Sequence, residues 1–571
     1  MENTRDDDLS VEHDGGAAAQ AEGEGGEGSR KGAAFGEWVR ARGLYLLGGL
    51  ALIASVFGWL QFSTGSICCG DYDGYYHVKW SRMLWEGMRS GQFPPLFTVL
   101  PLTTLNPQDY VDHHFLFHVL QIPFTWFRDT TLGAKVGTLI FSTLAVFSCY
   151  WLVVRYRLRY PLMWLLALLA CSAPFLYRMN MAKAMSVSIV LLIAGIYLLF
   201  ERRYRLLAPL AFLFALTYDM FVLLCVAAFV WAFVVWWNER RIEWQPVALA
   251  VAGSIAGFII NPYFPRNIRL FVEHLMMKVT TGGFSTEVGG EWYPYNSWEF
   301  LMNCFAAFIA TLAGYIAFNN SDRRNSRAFF FLIFSTILLV ANAKWKRFSE
   351  YWPPFAILFA AFSLQNLLSG ARSAAAQLPD EVLDELQPYF DRHEHPATIA
   401  RERGERWREY ALVGVVVLYL CFQTAGNFTV TARDIEGSAA PNHYKAATDW
   451  LHANVPKGEM IFNTDWDDFP RLFYFASEYT YVSGLDPTYL HDKNPKLSEL
   501  YKRITVGDED DPGPIIRQSF GARYVFSDNE HEDFYNKALD SGWFDEVYVD
   551  DDATILRIRD TKGEPPPIPE D

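Results

Sequence analysis

The chain has 571 residues, 51% of them hydrophobic and 16% aromatic, with a formal net charge of −15. The charge is uneven: acids crowd the two ends and arginines sit between apolar blocks, which excludes nucleic acid as a partner. The apolar blocks run to roughly 18 residues or more and read as membrane spans rather than soluble core helices.

In chain order, residues 1–35 (with GGAAAQAEGEGGEGS) are too poor in apolar side chains to order. They also lack the basic-then-apolar start of a cleavable signal, so they read as a disordered cytoplasmic tail. A transmembrane unit over 36–427 follows, for which the apolar runs predict about eleven spans. These lie at 44–62, 133–154, 161–177, 184–200, 206–218, 221–237, 245–262, 299–318, 328–342, 353–369 and 410–427. With the N-terminus in the cytoplasm, the connections rich in arginine all fall on that side: Arg155 to Arg159, Arg202 to Arg205, Arg240 and Arg241, Arg323 to Arg327, and Arg401 to Arg408. The opposite side receives the loop 63–132, the loop 263–298, the short loop from Asn342 to Trp352, and residues 428–560. That last region alternates helical HYKAATDWLHANV with strand-like MIFNTDW, TYVSGLD, RYVFSD and ATILRIR, which predicts a small α/β domain. Residues 561–571 read as a disordered end. The expected fold is therefore a polytopic α-helical membrane protein with a small C-terminal α/β extracytoplasmic domain, in a bacterial inner (plasma) membrane.

Cysteine chemistry adds little. Cys149, Cys171, Cys225, Cys304 and Cys421 lie in or beside apolar runs, where cysteine behaves as a small hydrophobe. Cys68 and Cys69 are adjacent, and the chain has no CxxC pair, which disfavours a zinc knuckle and a disulfide to a distant partner.

The loop 63–132 carries the densest polar chemistry. Asp71 and Asp73 form a DxD, and His77 lies one helical turn beyond Asp73 if YYHVKWSRMLWEGM is an interfacial helix. Asp112 and His114 add a D-x-H. Carboxylates with imidazole suit a divalent ion, Mn²⁺ or Mg²⁺, on Asp73, Asp112 and His114, or a general base in Asp73 with Asp71. The plainer reading is that these acids cap two helices. Arg178 and Lys183, and Lys346 and Arg347 in NAKWKRFSEYWPP, fall on the side the positive-inside trend disfavours. Arg and Lys there suit a lipid-linked phosphate, or snorkel to ordinary headgroups. Glu291, Trp292 and Tyr293 could hold an acceptor or a sugar ring. Asp219, at a short turn, reads as a cap. In the C-terminal domain, DWDDFPRL and GLDPTYLHD read as loops after strands, which host ligands in α/β domains.

These features together resemble the GT-C superfamily of membrane glycosyltransferases. The likeness rests on the acidic motif just after the first span (Asp71, Asp73), the amphipathic helices of that loop and the C-terminal domain on the same side. DYDGYYHVKW is similar to the first acidic motif of the oligosaccharyltransferase catalytic subunit, and Asp112-His113-His114 to a D-x-H metal motif of archaeal members. Here Asp112 shares a loop with Asp73, and DWDDFP only faintly echoes the acceptor motif WWDYG, so sequon reading is not carried over. The resemblance implies inverting transfer of a sugar or oligosaccharide from a polyprenyl-phosphate or polyprenyl-diphosphate donor to an extracytoplasmic protein, lipid or polysaccharide. Asp73 would be the base or acceptor-binding residue, and Arg178, Lys183, Lys346 and Arg347 would hold the donor phosphate. The alternatives are a multi-pass transporter or lipid flippase, or a scaffold presenting the C-terminal domain.

Overall fold

A computed structural model describes residues 24–69, 72–276, 288–318, 325–368 and 396–563. Asp71, Arg323, Arg324 and most of the two expected tails lie outside them. The first helix runs Glu24–Phe62 and so reaches back into the stretch read as tail.

The apolar runs fold as helices because a backbone surrounded by lipid has to satisfy its own N–H and C=O groups. Each of the eleven runs falls on helix, but the helices differ in length. Five are long and apolar enough to cross a membrane: Arg42–Phe62, Thr130–Arg155, Asp219–Glu239, Ser326–Lys344 and Trp407–Glu436. Two bent pairs raise the number to seven, Pro161–Ala170 with Ala173–Met179 (86°) and Ser297–Asn303 with Phe305–Ala317 (82°). The rest are shorter. Met185–Phe200 and Gln245–Ile260, of 16 residues each, would reach about 24 Å, against a hydrocarbon core of about 30 Å. By length and composition, five to seven candidate spans stand among the described residues and the expected eleven is not confirmed, because hydropathy registers apolar content and not the length over which a helix stays straight.

The first bend has a local cause. Ser172 caps the second half by accepting from Phe175 N, and Pro174 stands in its first turn. The bend frees carbonyls at the end of the first half. The long helix Pro396–Glu436 meets the bend on both sides: Asn427 donates to Ala170 O (2.9 Å) at the end of the first half, and Thr431 to Ala173 O (3.3 Å) at the start of the second. The expected domain boundary at 427/428 lies inside this helix.

At one end of the bundle sit the first-loop helices Asp73–Ser90 and Phe115–Gln121 and the C-terminal domain. The domain is a five-stranded sheet of β1 (Met460–Asn463), β2 (Thr480–Tyr481), β3 (Tyr524–Asp528), β4 (Phe544–Val549) and β5 (Ala553–Ile558), in the order β2-β1-β3-β5-β4. The first three strands are parallel, and β5 runs antiparallel to both β3 and β4. Four of the five match expected strand runs. β4 does not, since its half-buried Asp545 and exposed Glu546 mask the alternation. The domain docks on the first loop through Arg471, buried with its guanidinium 4.5 Å from the rings of both Tyr72 and Tyr75. Tyr481 N donates to Val99 O (2.8 Å) and Thr104 N to Tyr489 O (3.0 Å), so the strand edge and the loop are joined by backbone. Cys68 and Cys69 are bonded to each other.

Candidate functional site

A cavity of about 100 Å³ lies where this end of the bundle meets the C-terminal domain. Asp73 opens the helix Asp73–Ser90, where the helix dipole favours a carboxylate, and its Oδ2 is 2.8 Å from Lys183 Nζ. Gly74 allows that approach: a Cβ there would lie 2.7 Å from Ile67 Cγ2 and 3.1 Å from Ala182 Cβ. His77 follows one turn later on the same face, as its spacing predicts, and also lines the cavity.

Behind His77 runs a buried chain of polar contacts. His77 Nδ1 is 2.7 Å from His118 Nε2, and His118 Nδ1 is 2.8 Å from both carboxylate oxygens of Asp112. Trp80 Nε1 donates to Asp112 Oδ2 (3.0 Å), and His114 N to Oδ1 (3.0 Å). Asp112 is therefore occupied within the wall and is absent from the cavity lining, while His114 faces the cavity with its ring stacked on Tyr218 (5.3 Å). Burial, followed by neighbouring imidazoles, holds His114 well below the usual histidine range; burial and then His118 do the same for His77. Both rings are neutral at neutral pH.

The opposite wall is a charge network. Arg178 Nε donates to Glu350 Oε1 (2.8 Å), and its Nη2 to Glu291 Oε2 (2.7 Å). Arg347 donates to Glu291 Oε1 and, through Nη2, to the Tyr218 hydroxyl (2.6 Å). Arg347 Nε is buried with no hydrogen-bond partner. Its guanidinium lies 5.0 Å from the Trp292 ring, a cation–π contact that fixes the fork toward the cavity. Burial opposes ionisation of Glu291, but Arg347 and Arg178 outweigh it and hold the carboxyl well below the usual range.

Of the residues expected to act, Asp73, His114, Arg178, Lys183, Glu291, Trp292 and Arg347 line this one cavity. Lys346 lines a second cavity of about 290 Å³, which shares Arg178 and Glu291 with the first and is bounded by Val430 of the long C-terminal helix. Tyr293 is 41% exposed and enters neither lining; its carbonyl accepts from Lys346 N (3.1 Å). Glu291 orients the two arginines. The expected ligand set Asp73, Asp112 and His114 is not assembled, because Asp112 is taken by His118 and Trp80 and Asp73 is held by Lys183. Among the described residues, the cavity does not bring three such donor atoms within the reach of one ion.

The cavity also holds residues the sequence left unassigned. Asp219, read as a cap, opens the turn Asp219–Phe221 and faces the cavity beside His113. Leu485, Asp486 and Tyr489 enter from the C-terminal domain. The loop GLDPTYLHD was the available signal for them. Leu485 has a left-handed backbone (φ 67°), a locally costly conformation of the kind that gathers at ligand sites.

No protein-family model and no curated protein matches the sequence. Among solved structures, the chain is similar to the apo form of the Archaeoglobus fulgidus oligosaccharyltransferase. The TM-score is 0.59 and the identity 13%, over 87% of this chain and 71% of that one. It is similar as well to ArnT from Cupriavidus metallidurans bound to undecaprenyl phosphate, with a TM-score of 0.53 and 12% identity over 91% of this chain and 99% of that one. At these identities the likeness concerns the fold, which this chain shares with both structures.

Proposed function

We propose that this protein transfers a sugar or oligosaccharide from a polyprenyl-phosphate or polyprenyl-diphosphate donor to an acceptor on the extracytoplasmic side of a membrane. The observation that carries the reading is a single cavity holding Asp73 and its partner Lys183 opposite Arg178 and Arg347, on a fold whose similar solved structures include one bound to undecaprenyl phosphate.

The division of labour follows from the charges. The lipid-linked phosphate approaches through the second cavity, beside Lys346, and settles where the two cavities share Arg178. A guanidinium matches phosphate geometry, and buried cations act in a low dielectric, where each contact counts for more than in water. Lys183 bridges the two halves of the reaction. Without donor it pairs with Asp73; an arriving phosphate competes for the ammonium and releases the carboxylate. Asp73 then takes the proton of the acceptor hydroxyl or amide as that group attacks the anomeric carbon. The bond from that carbon to the phosphate oxygen breaks with its electron pair on the oxygen, and Lys183, Arg178 and Arg347 neutralise the leaving phosphate. Attack from the face opposite the phosphate inverts the anomeric centre. Positioning and electrostatics supply most of the barrier reduction. Transport is not favoured, since the charges gather at one end of the bundle against the C-terminal domain.

The test is turnover of radiolabelled polyprenyl-phosphate and polyprenyl-diphosphate sugars by the purified chain, beside Asp73→Asn. One donor should be consumed, and Asp73→Asn should lose roughly 10²–10⁴-fold in rate while still binding it. A chain that neither binds nor consumes any donor ends this reading.

A further inference from the structure

The motif Asp465-Trp466-Asp467-Asp468 plays no part in the cavity. It follows β1, which pairs in parallel with β2 on one side and β3 on the other. From β1 the chain turns toward β2; from β3 it leaves the other way, through the helix Glu532–Asp540, to β4 and β5. Where the connections of two neighbouring parallel strands diverge like this, a crevice opens at their carboxyl ends, and open α/β sheets bind ligands there. The register sets Asn463 against Phe526, so Asp465 and Asp528, two residues further on, emerge at the same level.

One ligand atom each from Asp465, Asp528 and His531 lie within 4.8 Å of one another, about the span of two metal–ligand bonds. His531 Nδ1 is 2.6 Å from Asp528 Oδ1, in a contact that an ion would replace. Asp468 supplies an independent indication. It is 3% exposed; its Oδ1 accepts from the Tyr444 hydroxyl (2.6 Å), yet its Oδ2 is buried with no hydrogen-bond partner. A buried carboxylate oxygen without a donor is costly, and a nearby cation offsets that cost.

We propose that Asp465, Asp528 and His531 form a divalent-cation site in the crevice between β1 and β3, beside the buried carboxylate of Asp468. The imidazole among carboxylates selects a transition ion of the Mn²⁺ or Zn²⁺ class over Mg²⁺ or Ca²⁺, which favour all-oxygen shells. The ion would brace the domain where it docks. Asp468 opens the helix Phe469–Phe475, and Arg471 of that helix covers Tyr72 and Tyr75 at the start of the helix that carries Asp73.

The full chain, purified in detergent and stripped with a chelator, is titrated with Mn²⁺ while the free-ion electron paramagnetic resonance signal is followed; Zn²⁺ competition and melting are run alongside. The parent and Asp73→Asn should each bind one equivalent and melt higher with it. Asp528→Asn should lose that equivalent, and His531→Gln, at a half-exposed residue that the fold tolerates, should weaken it about 10–100-fold. Equal binding in the parent, Asp528→Asn and His531→Gln, or no binding of either ion by the stripped parent, overturns the proposal. Because Asp73→Asn is expected to keep this equivalent, the outcome is separable from that of the transfer assay.

Discussion

The cavity at the end of the bundle and the crevice of the C-terminal domain both gather carboxylates, and they treat them in opposite ways. In the cavity each acid named in the charge network meets a cation: Asp73 meets Lys183, Glu291 meets Arg178 and Arg347, and Glu350 meets Arg178. In the crevice three carboxylates share one imidazole. Glu291 is accordingly held low and Asp468 pushed high, although burial opposes ionisation of both. A balanced set can receive a ligand that brings its own charge and exchange partners with it. An unbalanced set needs a cation before it is at rest.

Breaking the balance should show the difference, most strongly in the cavity. Glu350→Ala leaves the Arg178 guanidinium short of its most buried partner and should cost about 3–5 kcal/mol of stability, read from unfolding in detergent. A cost below about 1 kcal/mol would mean that Glu291 alone satisfies Arg178. Gly74→Ala forces a Cβ against Ile67 and Ala182 and should cost about 1–3 kcal/mol. It should also lower the donor KM, because an Asp73 moved away from Lys183 competes less with the arriving phosphate; an unchanged KM would show that their contact is dispensable. In the chelator-treated protein, Asp468→Asn should act with the opposite sign and raise stability by on the order of 1 kcal/mol, seen as a higher melting temperature, since it removes a group that is costly to ionise where it is buried but keeps the acceptor for Tyr444. A lowered melting temperature would mean that the carboxylate is satisfied as it stands.

The smallest expected effect is in pH dependence, where the two regions slope in opposite directions. His77, His113 and His114 titrate below the ordinary histidine value of 6.5 because they are buried. As pH falls below 6.5 the unfolded chain takes up protons that the folded chain refuses, so stability falls on acidification. Asp468 titrates above the ordinary value of 3.8. The folded chain then holds a proton that the unfolded chain has released, and stability falls as pH rises from there toward the raised value. His114→Gln should flatten the first limb and Asp468→Asn the second in melting curves across pH; unchanged curves in both variants would remove these groups as the source.

Local pattern carried much of the fold. The helical spacing that puts Asp73 and His77 on one face is found in the helix Asp73–Ser90, and four of the five strands match their β-branched and aromatic runs. Seven of the residues expected to act meet in one cavity. Segment patterns failed where the outcome depends on straightness or on a neighbour. The bend at Ser172 and Pro174 turns one apolar run into two helices at 86°, and the acids of β4 hide a strand that gains its place from pairing with β5. The D-x-H at Asp112 looks like a ligand pair in the chain, yet its carboxylate turns inward to His118 and Trp80.

By itself, the sequence determined which segments are helical, which are strands and which end of the bundle carries the chemistry, because apolar length, periodicity and the placement of arginines belong to a segment and its immediate flanks. Only the tertiary structure decided which charges meet. Arg178 reaches Glu291 across 113 positions and Glu350 across 172, and no local pattern ranks one distant carboxylate above another. The energy of such a pair depends on separation and burial, and both exist only once the helices and the C-terminal domain have packed.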